Sequence, residues 1–444
     1  MYKKRVAIIG SGITGLASAW LLHQQYNVTL FEKNAYLGGH THTIDVPEQD
    51  RQIPVDTGFI VYNDRNYPNL IGLFAQLGIP TRDTDMSFGF SLNQGELEYS
   101  GSSLNTLFAQ RKNLFRLSHW RLLKEIMRFN KVAHRLLENP VAVPNMSLGE
   151  MLDAHQFSRE MREHYLLPMG AAIWSCPVET MLTFPALSFL RFFANHGLID
   201  LHNRPQWRTV CGGSSFYVRK LLAAMGDKLQ LQSGAIRVER TATQASVFTA
   251  TAKHDFDAVI FACHADQALA LLVQPTPEEQ RILGCFQYEK NQTYLHTDAK
   301  LMPVNRNVWS SWNYLATSQP ESRQQMTATY WMNNLQGLNT SKDYFVTLNP
   351  YLLPSDEQII TSMTYEHPIF NQAAMDAQPQ LANLQGQQCS WFCGSYHRYG
   401  FHEDALASAV TVCKDFGITP VWVKAQETTP QPVLALAMAG AVAS

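Results

Sequence analysis

The sequence has few cysteines, almost no net charge and no long apolar run, and each shortage excludes a class of protein. Seven cysteines are scattered over 444 residues without the spacing of metal ligands. We therefore expect reduced thiols, no metal site and no disulfide framework. The formal net charge of −2 gives no general attraction to nucleic acid. No apolar run reaches the length of about 18 residues that a membrane-spanning helix needs.

Several catalytic signatures are also missing. There is no nucleophile elbow, no H-E-x-x-H and no paired-cysteine metal set, which argues against hydrolases and zinc enzymes. Cys389 and Cys393 are the only close cysteine pair, and their spacing differs from the C-x-x-C of thioredoxin-like proteins. A chain that is 45% hydrophobic and 16% charged fits a globular protein of two or three domains.

The most informative pattern that is present is a glycine motif near the N-terminus. Gly10, Gly12 and Gly15 follow the apolar run 6–9 and open a stretch rich in Ala and Leu. Gly10 permits a tight turn, Gly12 has no side chain to obstruct a pyrophosphate, and Gly15 lets a helix pack closely on a strand. Glu32 ends the next apolar run, where a carboxylate would accept hydrogen bonds from ribose hydroxyls and disfavour NADP. The pattern predicts a dinucleotide site.

The same N-terminus has a second interpretation as a secretory signal. Lys3, Lys4 and Arg5 precede the apolar run, and residues 17–19 resemble a cleavage site. A signal peptide has no need of three glycines in dinucleotide spacing, or of a matching strand and acid downstream. We therefore expect the N-terminus to be retained and the protein to be cytoplasmic.

Two further segments carry nucleotide-domain signals. A glycine pair opens a helix over 212–222, and the buried-strand pattern 257–262 follows it. Near the C-terminus, the apolar strand 389–394 ends in glycine and precedes a helix predicted over 400–416. A strand that ends in glycine before a helix N-terminus offers backbone amides to an anion or a carbonyl.

Together the three segments resemble the flavin-dependent amine oxidase superfamily, which includes monoamine oxidases, protoporphyrinogen oxidases and phytoene desaturases. The chain is most similar to bacterial FAD-binding proteins associated with cyclopropane fatty acid synthases, and the likeness extends to about residue 418. The motifs that carry it are Gly10/Gly12/Gly15/Glu32, the run 37–43 with Gly38-Gly39-His40-Thr41, Asp56-Thr57-Gly58-Phe59, 204–210 with Gly212-Gly213, Ala262-Cys263-His264-Ala265-Asp266 and Gly400-Phe401-His402-Glu403-Asp404.

The resemblance implies an α/β fold with an α+β substrate lobe, in which a Rossmann-like FAD-binding domain and an interleaved substrate domain form a monoamine-oxidase-like two-lobe architecture. The FAD-binding domain would comprise 1–85, 205–270 and 385–418, and the substrate domain would comprise 86–204 and 271–384. The C-terminal tail, 419–444, has no place in this scheme, so we expect it to be disordered or loosely docked.

The resemblance also assigns site residues. Those implied to bind FAD are Gly10, Gly12, Ile13, Thr14, Gly15, Glu32, Lys33, Gly38, Gly39, His40, Thr41, Asp56, Thr57, Gly58, Phe59, Arg237, Val238, Ala262, Cys263, His264, Gly394, Gly400, Phe401, Glu403, Asp404 and Ala405. The catalytic candidates are His397, Tyr399 and Trp174. A histidine can carry a proton at neutral pH, although a lone one is more often a hydrogen-bonded structural group. The chain departs from the superfamily at His40, where an arginine is usual, and at Ser395-Tyr396, where an acid is usual.

The segments between the nucleotide signals are rich in aromatic residues. Residues 309–314 and 327–333 are predicted to be neighbouring strands that form a wall over the flavin. Aromatic strands also serve as plain core, and that alternative stays open.

Residues 111–137 predict one amphipathic helix. Its basic stripe comprises Arg121, Lys124, Arg128, Lys131 and Arg135, its apolar face comprises Phe115, Leu122, Leu123, Ile126, Phe129, Ala133, Leu136 and Leu137, and Glu125 is its only acid. Such a face suits an anionic membrane surface, because cations reach headgroups while apolar groups enter the acyl boundary. The protein would then be peripheral on the inner membrane face. The alternative is an ordinary helix whose apolar side packs on its own domain.

Three functions remain open at this point. The first is an FAD-dependent oxidoreductase that oxidises or desaturates a hydrophobic substrate, such as a membrane lipid acyl chain, by hydride transfer to the flavin N5 atom. The second is an amine oxidase that produces an imine and hydrogen peroxide. The third is a flavin-binding accessory protein of a lipid-modifying methyltransferase. Because no second nucleotide fingerprint occurs, oxygen or a quinone is favoured over NADH as electron acceptor.

Overall fold

A computed structural model describes residues 3–428, except 143, 144, 201, 203 and 318–326. The strands are β1 (Arg5–Ile9), β2 (Asn27–Glu32), β3 (Thr43–Glu48), β4 (Arg51–Asp56), β5 (Val61–Asn63), β6 (Thr81–Thr84), β7 (Phe88–Leu92), β8 (Leu97–Ser100), β9 (Trp207–Val210), β10 (Leu229–Ser233), β11 (Arg237–Arg240), β12 (Ala245–Phe248), β13 (Lys253–Phe256), β14 (Ala258–Phe261), β15 (Gln287–His296), β16 (Trp312–Ala316), β17 (Thr327–Trp331), β18 (Phe345–Leu348), β19 (Ile359–Ile369) and β20 (Ser390–Phe392).

The α-helices are α1 (Ile13–Leu22), α2 (Pro68–Leu77), α3 (Leu104–Leu107), α4 (Leu117–Glu138), α5 (Leu148–Ala154), α6 (Arg159–Met161), α7 (Leu167–Trp174), α8 (Val178–Leu182), α9 (Ala186–Asn195), α10 (Ser215–Met225), α11 (Ala265–Leu271), α12 (Pro277–Leu283), α13 (Met332–Gln336), α14 (Gln372–Ala377), α15 (His402–Asp415) and α16 (Val421–Thr428). The predicted strand 257–262 and the predicted helix 400–416 are confirmed as β14 and α15.

The nucleotide lobe is built on a parallel sheet with the strand order β10-β2-β1-β14-β20. Alternate residues of β1 face opposite sides of this sheet, as the two-residue period of a strand requires. Val6 and Ile8 pack into the core that contains α1, α10 and α15. Ala7 and Ile9 pack into a second core, which the antiparallel sheet β11-β12-β13 helps to cover. Both faces of β1 are therefore buried, which explains its continuous apolar sequence.

The second lobe is built on a seven-stranded sheet with the order β19-β15-β18-β17-β16-β7-β8. Strands β16 and β17 are antiparallel neighbours with Trp312 opposite Tyr330, which confirms that the two aromatic segments pair. Helices α4 to α9 contribute to the large core on this sheet, where Phe129, Leu152 and Phe189 are buried.

Helix α4 corrects the prediction of one helix over 111–137. A 3₁₀ turn at Arg111–Phe115 precedes α4, and Arg116 separates the two in an extended conformation. Its apolar residues Leu122, Phe129, Ala133 and Leu136 are buried in the core. The apolar side of α4 thus packs on its own lobe, because the seven-stranded sheet needs a covering layer. Among the helices of the described part of the chain, none combines the length and apolarity needed to cross a bilayer.

The start of the C-terminal tail is docked on the nucleotide lobe, which is one of the two alternatives expected for it. Trp422 of α16 stacks on Trp20 with ring centroids 6.2 Å apart, and its Nε1 donates to Asn69 Oδ1 at 3.1 Å. Val423 is buried in the core of the nucleotide lobe. Two apolar side chains hold this short helix against α2, and the remainder of the predicted tail, 429–444, lies outside the described residues.

A buried ion pair ties β11 to α12. Arg240 contacts both carboxylate oxygens of Glu279, at 2.6 and 2.8 Å, and the two side chains are 2% and 1% exposed. Burial alone would raise the pKa of Glu279, but the hydrogen bonds from Arg240 lower it below its usual range. The pair is therefore charged at neutral pH.

We expect Arg240→Met to lower the free energy of unfolding by about 3–5 kcal/mol, because it leaves a buried carboxylate without its cation. Urea denaturation measures this loss. Arg281→Met is the matched control, since Arg281 pairs with Glu278 on the exposed side of α12 and exposed pairs contribute little. Equal effects of the two substitutions would contradict the assignment.

Candidate cofactor and substrate cleft

A cavity of about 1040 Å³ lies between the two lobes. Ile9, Glu32, Ala262 and Gly394 line it at the carboxyl ends of four parallel strands, and β15 to β19 contribute side chains from the other lobe. Ligands in open α/β sheets bind at the carboxyl ends of the strands. The cavity reaches the upper end of the range of about 300–1,000 Å³ that is usual for small-molecule sites.

The glycine motif shapes one end of this cavity. Gly10 has a φ of +105°, and a Cβ there would lie 2.6 Å from the Ala262 carbonyl oxygen. A Cβ on Gly15 would lie 1.8 Å from the Gly10 oxygen. Gly12 differs, because a Cβ built on it meets no atom of the described residues within 4 Å and would project into space. Gly10 and Gly15 are thus required by the fold, whereas Gly12 keeps the cleft open.

The first turn of α1 borders the same space. Ile13 and Thr14 line the cavity, and no side chain caps the helix at Gly12 among the described residues. The first backbone N–H groups of a helix lack partners within the helix and carry a partial positive charge. This end of the cavity therefore suits a phosphate.

Glu32 is held rigidly at the end of β2. Its Oε2 accepts hydrogen bonds from the Ser11 amide at 2.9 Å and the Ser11 hydroxyl at 2.5 Å. Its Oε1 accepts from the Asn34 amide at 2.8 Å. Because a carboxylate offers about four lone-pair sites, Glu32 can still accept a hydroxyl from a ligand.

His40 lines the cavity and has one ring nitrogen without a partner among the described residues. Its Nε2 is buried and has no hydrogen-bond partner among the described residues. Burial and the neighbouring His264 lower the pKa of His40 to about 4, so the ring is neutral at pH 7. Buried polar atoms in proteins are normally satisfied, so this nitrogen is the atom of His40 that a polar ligand group could still satisfy.

His367 of β19 stands beside His40, with ring centroids 5.2 Å apart. A chain of amides fixes its tautomer. The Gln292 amide donates to Asn349 Oδ1, Asn349 Nδ2 donates to Asn291 Oδ1, and Asn291 Nδ2 donates to His367 Nδ1. Because Nδ1 is an acceptor, the proton of neutral His367 is on Nε2. Burial lowers the pKa of His367 to about 3, which keeps the ring neutral.

His402, at the start of α15, is oriented in a similar way. Its ring stacks on Phe59 at 3.8 Å, and its Nε2 is 2.7 Å from the Tyr217 hydroxyl. That hydroxyl also bonds the Thr41 hydroxyl. Burial lowers the pKa of His402 to about 3. The cleft therefore contains several neutral imidazoles at pH 7 rather than cations.

One part of the cavity wall is aromatic, and we call it the aromatic end. It is lined by Ile173, Trp174, Ser175, Trp207, Trp312, Tyr330, Leu348, Phe370 and Tyr399. Trp174 packs among Phe184, Phe192 and Phe401, and its Nε1 donates to the Tyr399 carbonyl at 3.3 Å. The charged residues of the lining are Glu32, Lys33, Lys290 and Glu366, and none of them belongs to this aromatic group. The aromatic end therefore suits an apolar ligand.

The structure brings most of the predicted site residues to the cavity wall. These are Gly10, Gly12, Ile13, Thr14, Glu32, Lys33, Gly38, Gly39, His40, Thr57, Gly58, Phe59, Ala262, Cys263, His264, Gly394, Gly400, Phe401 and Ala405, with the catalytic candidates Tyr399 and Trp174. Gly15, Thr41, Asp56, Arg237, Val238, Glu403, Asp404 and His397 are outside the lining.

Two acids and one hydroxyl residue, Asp56, Asp404 and Thr41, lie outside the lining and make hydrogen bonds to protein groups. Asp56 accepts hydrogen bonds from the Ser214 amide, the Thr43 hydroxyl and Gln336 Nε2, and burial raises its pKa to about 6. Asp404 accepts the amides of Tyr399 and Phe401 and so caps α15. Thr41 holds Tyr217, as described above. Their contacts are with the protein rather than with the cavity.

Glu403 caps another helix. It accepts hydrogen bonds from the backbone amides of Asn69 and Leu70 at 3.0 Å each, in the first turn of α2, where Tyr67 provides no side-chain cap. Burial raises the pKa of Glu403 to about 7. The residue thus joins α15 to α2.

The remaining predicted residues point elsewhere. Arg237 lies over the Phe248 ring at 4.0 Å and Val238 is buried in the core, while the preceding residues Ala235 and Ile236 line the cavity. His397 ends a 3₁₀ turn behind the wall, with its Nε2 unpartnered among the described side chains. His397 is therefore not part of the cavity lining, whereas Tyr399 is.

Strand β19 contributes to the cavity although no pattern in the sequence predicted it. Residues 364–368 and Phe370 line the cavity, including Tyr365, whose hydroxyl is 2.7 Å from the Thr57 hydroxyl. No motif marks this strand. The one signal that could have indicated its role is its place in the chain. β19 is the last strand before the third nucleotide segment, so the chain passes from it into the nucleotide lobe.

Comparison with known proteins supports this architecture. Residues 8–77 match the family of NAD(P)-binding Rossmann-like domains. A putative flavin-containing monoamine oxidase, AofH, of Mycobacterium tuberculosis (strain CDC 1551 / Oshkosh) is 24% identical over 292 residues, which are 62% of this chain. The matched region spans 61% of the length of that relative.

Two solved structures have the same fold over nearly their full length. Cyclohexylamine oxidase from Brevibacterium oxydans IH-35A superposes with a TM-score of 0.65 at 14% identity, covering 94% of this chain and 100% of that one. A fatty acid isomerase from P. acnes, which produces CLA, superposes with a TM-score of 0.64 at 14% identity, covering 94% and 99%. These likenesses confirm the predicted α/β fold with a Rossmann-like domain and a monoamine-oxidase-like two-lobe architecture.

We expect Glu403→Ala to lower the free energy of unfolding by about 1–3 kcal/mol, because two amides of α2 lose their acceptor in a buried place. Thermal or urea denaturation measures the loss. Glu357→Ala, at an exposed acid of a 3₁₀ turn, is the control and should leave stability unchanged. A wild-type unfolding midpoint for Glu403→Ala would show that the cap contributes nothing.

Proposed function

We propose that this chain is an FAD-dependent oxidoreductase. The observation that carries the proposal is the open cradle at Gly12, bordered by the uncapped start of α1 and by Glu32, at one end of a cleft long enough to continue between the lobes. The likeness to a putative flavin-containing monoamine oxidase agrees with it. FAD, when bound, would supply the atom that accepts a hydride.

The residues of the cleft fit such a cofactor. The amides at the start of α1 would bind its diphosphate, and Glu32 would accept its ribose hydroxyls. His40 stands where the superfamily usually has arginine, and its unpartnered Nε2 provides a neutral contact instead of a cation. The cofactor's charge would then be balanced mainly by helix amides, since His40, His367 and His402 all have pKa values lowered by burial.

We further propose that the substrate is hydrophobic and that it is oxidised or desaturated, with a membrane lipid acyl chain as the first candidate. The aromatic end supports this, because its residues offer apolar contact and no carboxylate for a cationic group. Trp174 and Tyr399 would orient the chain and exclude water, and neutral His367 would hold a proton on Nε2 beside the reacting region.

An amine oxidase is the second candidate, favoured by the likeness to AofH and to cyclohexylamine oxidase. An amine in its neutral form could enter the aromatic end. The third candidate is an accessory role beside a lipid-modifying methyltransferase, as the resemblance to proteins associated with cyclopropane fatty acid synthases suggests. In that case the bound flavin would not turn over with a substrate of its own.

Purified protein should carry an oxidised-flavin absorption spectrum, and Gly12→Asp should abolish that spectrum. The affinity for FAD should fall by about a hundredfold or more, because the carboxylate of the variant would occupy the phosphate site. The fold should survive, since space surrounds this position. Gly101→Asp, at another glycine with no described atom near its Cβ, is the control and should stay yellow. A colourless wild type after reconstitution with FAD would refute the cofactor assignment.

Anaerobic titration separates the three candidate functions. We expect the flavin to be bleached by phospholipids or fatty acids and not by primary amines, because the aromatic end lacks a carboxylate. Ile173→Glu should prevent bleaching by lipids without loss of bound flavin, since the substitution buries a charge in the apolar lining. Ile173→Leu is the control and should preserve bleaching by lipids. Bleaching by amines alone would favour the amine oxidase, and bleaching by neither would favour the accessory role.

A further inference from the structure

The first turn of α4 and the segment before it expose an unusual number of large apolar side chains. Leu104, Phe115 and Leu117 are 78%, 89% and 79% exposed, and Leu114 and Trp120 are 41% and 49% exposed. We call these five residues the exposed patch. Scattered apolar residues are normal on protein surfaces, but a contiguous group marks an interaction site.

Contacts within the region show that the exposed patch is continuous. The Trp120 ring lies 5.1 Å from Phe108, and its Nε1 donates to the Leu114 carbonyl at 2.9 Å. Arg111 donates to Asn105 Oδ1 at 2.6 Å, which holds the 3₁₀ turn against the start of α3 beside Leu104. The indole of Trp120 is thus fixed across the junction between α3 and α4.

The charged residues of the segment that carries the exposed patch all have one sign, and the nearby exposed acid, Glu96, lies just before this segment, where its carbonyl accepts a hydrogen bond from Arg116 at 3.5 Å. Residues 99–124 contain Arg111, Lys112, Arg116, Arg121 and Lys124 and no Asp or Glu. All five basic residues are exposed. The nearest acid along α4, Glu125, is already bonded to Arg128 and to Ser158. This local excess of positive charge contrasts with a net charge of −2 for the whole chain.

We propose that the exposed patch docks the protein on an anionic lipid bilayer. Leu104, Phe115 and Leu117 would enter the boundary of the acyl chains, Trp120 would lie at the headgroup level, and the five basic residues would contact lipid phosphates. The buried apolar face of α4 takes no part, so the contact is made by the start of the helix and not by its length.

Charge decides between a bilayer and other partners. A second copy of the chain docked through the same patch would place five cations against five cations, which is repulsive. The segment 429–444 is apolar but contains no charged residue, so it would leave these cations unmatched. The proposal goes beyond the proposed function and does not depend on it, because vesicle binding requires neither a substrate nor a flavin.

Sedimentation with vesicles tests the docking. We expect the full-length protein to bind vesicles of phosphatidylcholine with about 30% phosphatidylglycerol and to bind pure phosphatidylcholine at least tenfold more weakly, because each basic residue near an anionic surface contributes about fivefold. Raising the salt from about 0.1 M to about 0.5 M should release most of the protein. Equal binding to both vesicles, or no binding to either, would overturn the proposal.

Two groups of surface variants identify the contact residues. Arg116→Glu with Arg121→Glu and Lys124→Glu should weaken binding to anionic vesicles by roughly a hundredfold or more, whereas Phe115→Ser with Leu117→Ser should weaken it by roughly tenfold or more. Lys131→Glu with Arg135→Glu, farther along α4, and Val421→Ser, at an exposed residue of α16, are the controls.

All variants should keep the wild-type unfolding midpoint, because the altered side chains are exposed. Control substitutions that weaken binding as much as the patch substitutions would overturn the assignment to this surface. A wild type that sediments as a dimer, and whose dimer is broken by Phe115→Ser with Leu117→Ser, would also overturn it in favour of self-association.

Discussion

The close approach of three backbone segments at Gly10 is the constraint on which the rest of the structure depends. The end of β1, the start of α1 and the end of β14 meet where a single Cβ would collide with the Ala262 carbonyl. Because the chain must turn there without a side chain, α1 begins directly at the edge of the parallel sheet, and its first amides face the cavity. The position of Glu32 follows from the same turn, since the Ser11 amide and hydroxyl hold its carboxylate.

The nucleotide lobe could be predicted from sequence because its determinants are local. Glycine spacing, apolar strands and the acid at the end of β2 each report on a few consecutive residues, and the structure has them where expected. The contribution of β19 could not be predicted in this way. His367 reaches the cleft through sheet pairing with β15, a contact between distant segments that no local pattern encodes.

Residues assigned by resemblance divide according to what holds them. Gly12, Glu32 and Phe59 belong to the wall, whereas Asp56, Glu403 and Asp404 are taken up by backbone amides of the protein. A buried carboxylate needs donors wherever it is placed, and sequence alone does not show whether a ligand or a helix N-terminus provides them. The amphipathic pattern of α4 was ambiguous for a similar reason, because core packing and lipid contact demand the same periodicity.

Strand β19 extends along the cleft, with Tyr365 and His367 beside His40. Phe370, the residue after the strand, lies near Phe184, an aromatic neighbour of Trp174. One strand therefore carries His367, and the residue that follows the strand contributes to the apolar lining. Phe370 directly follows this strand, so a substitution there that moved the end of β19 would also move the backbone that carries His367. A mutant library that reshapes the apolar lining at Phe370 would therefore sample more arrangements of the cavity wall if it varied the neighbouring residues of β19 at the same time.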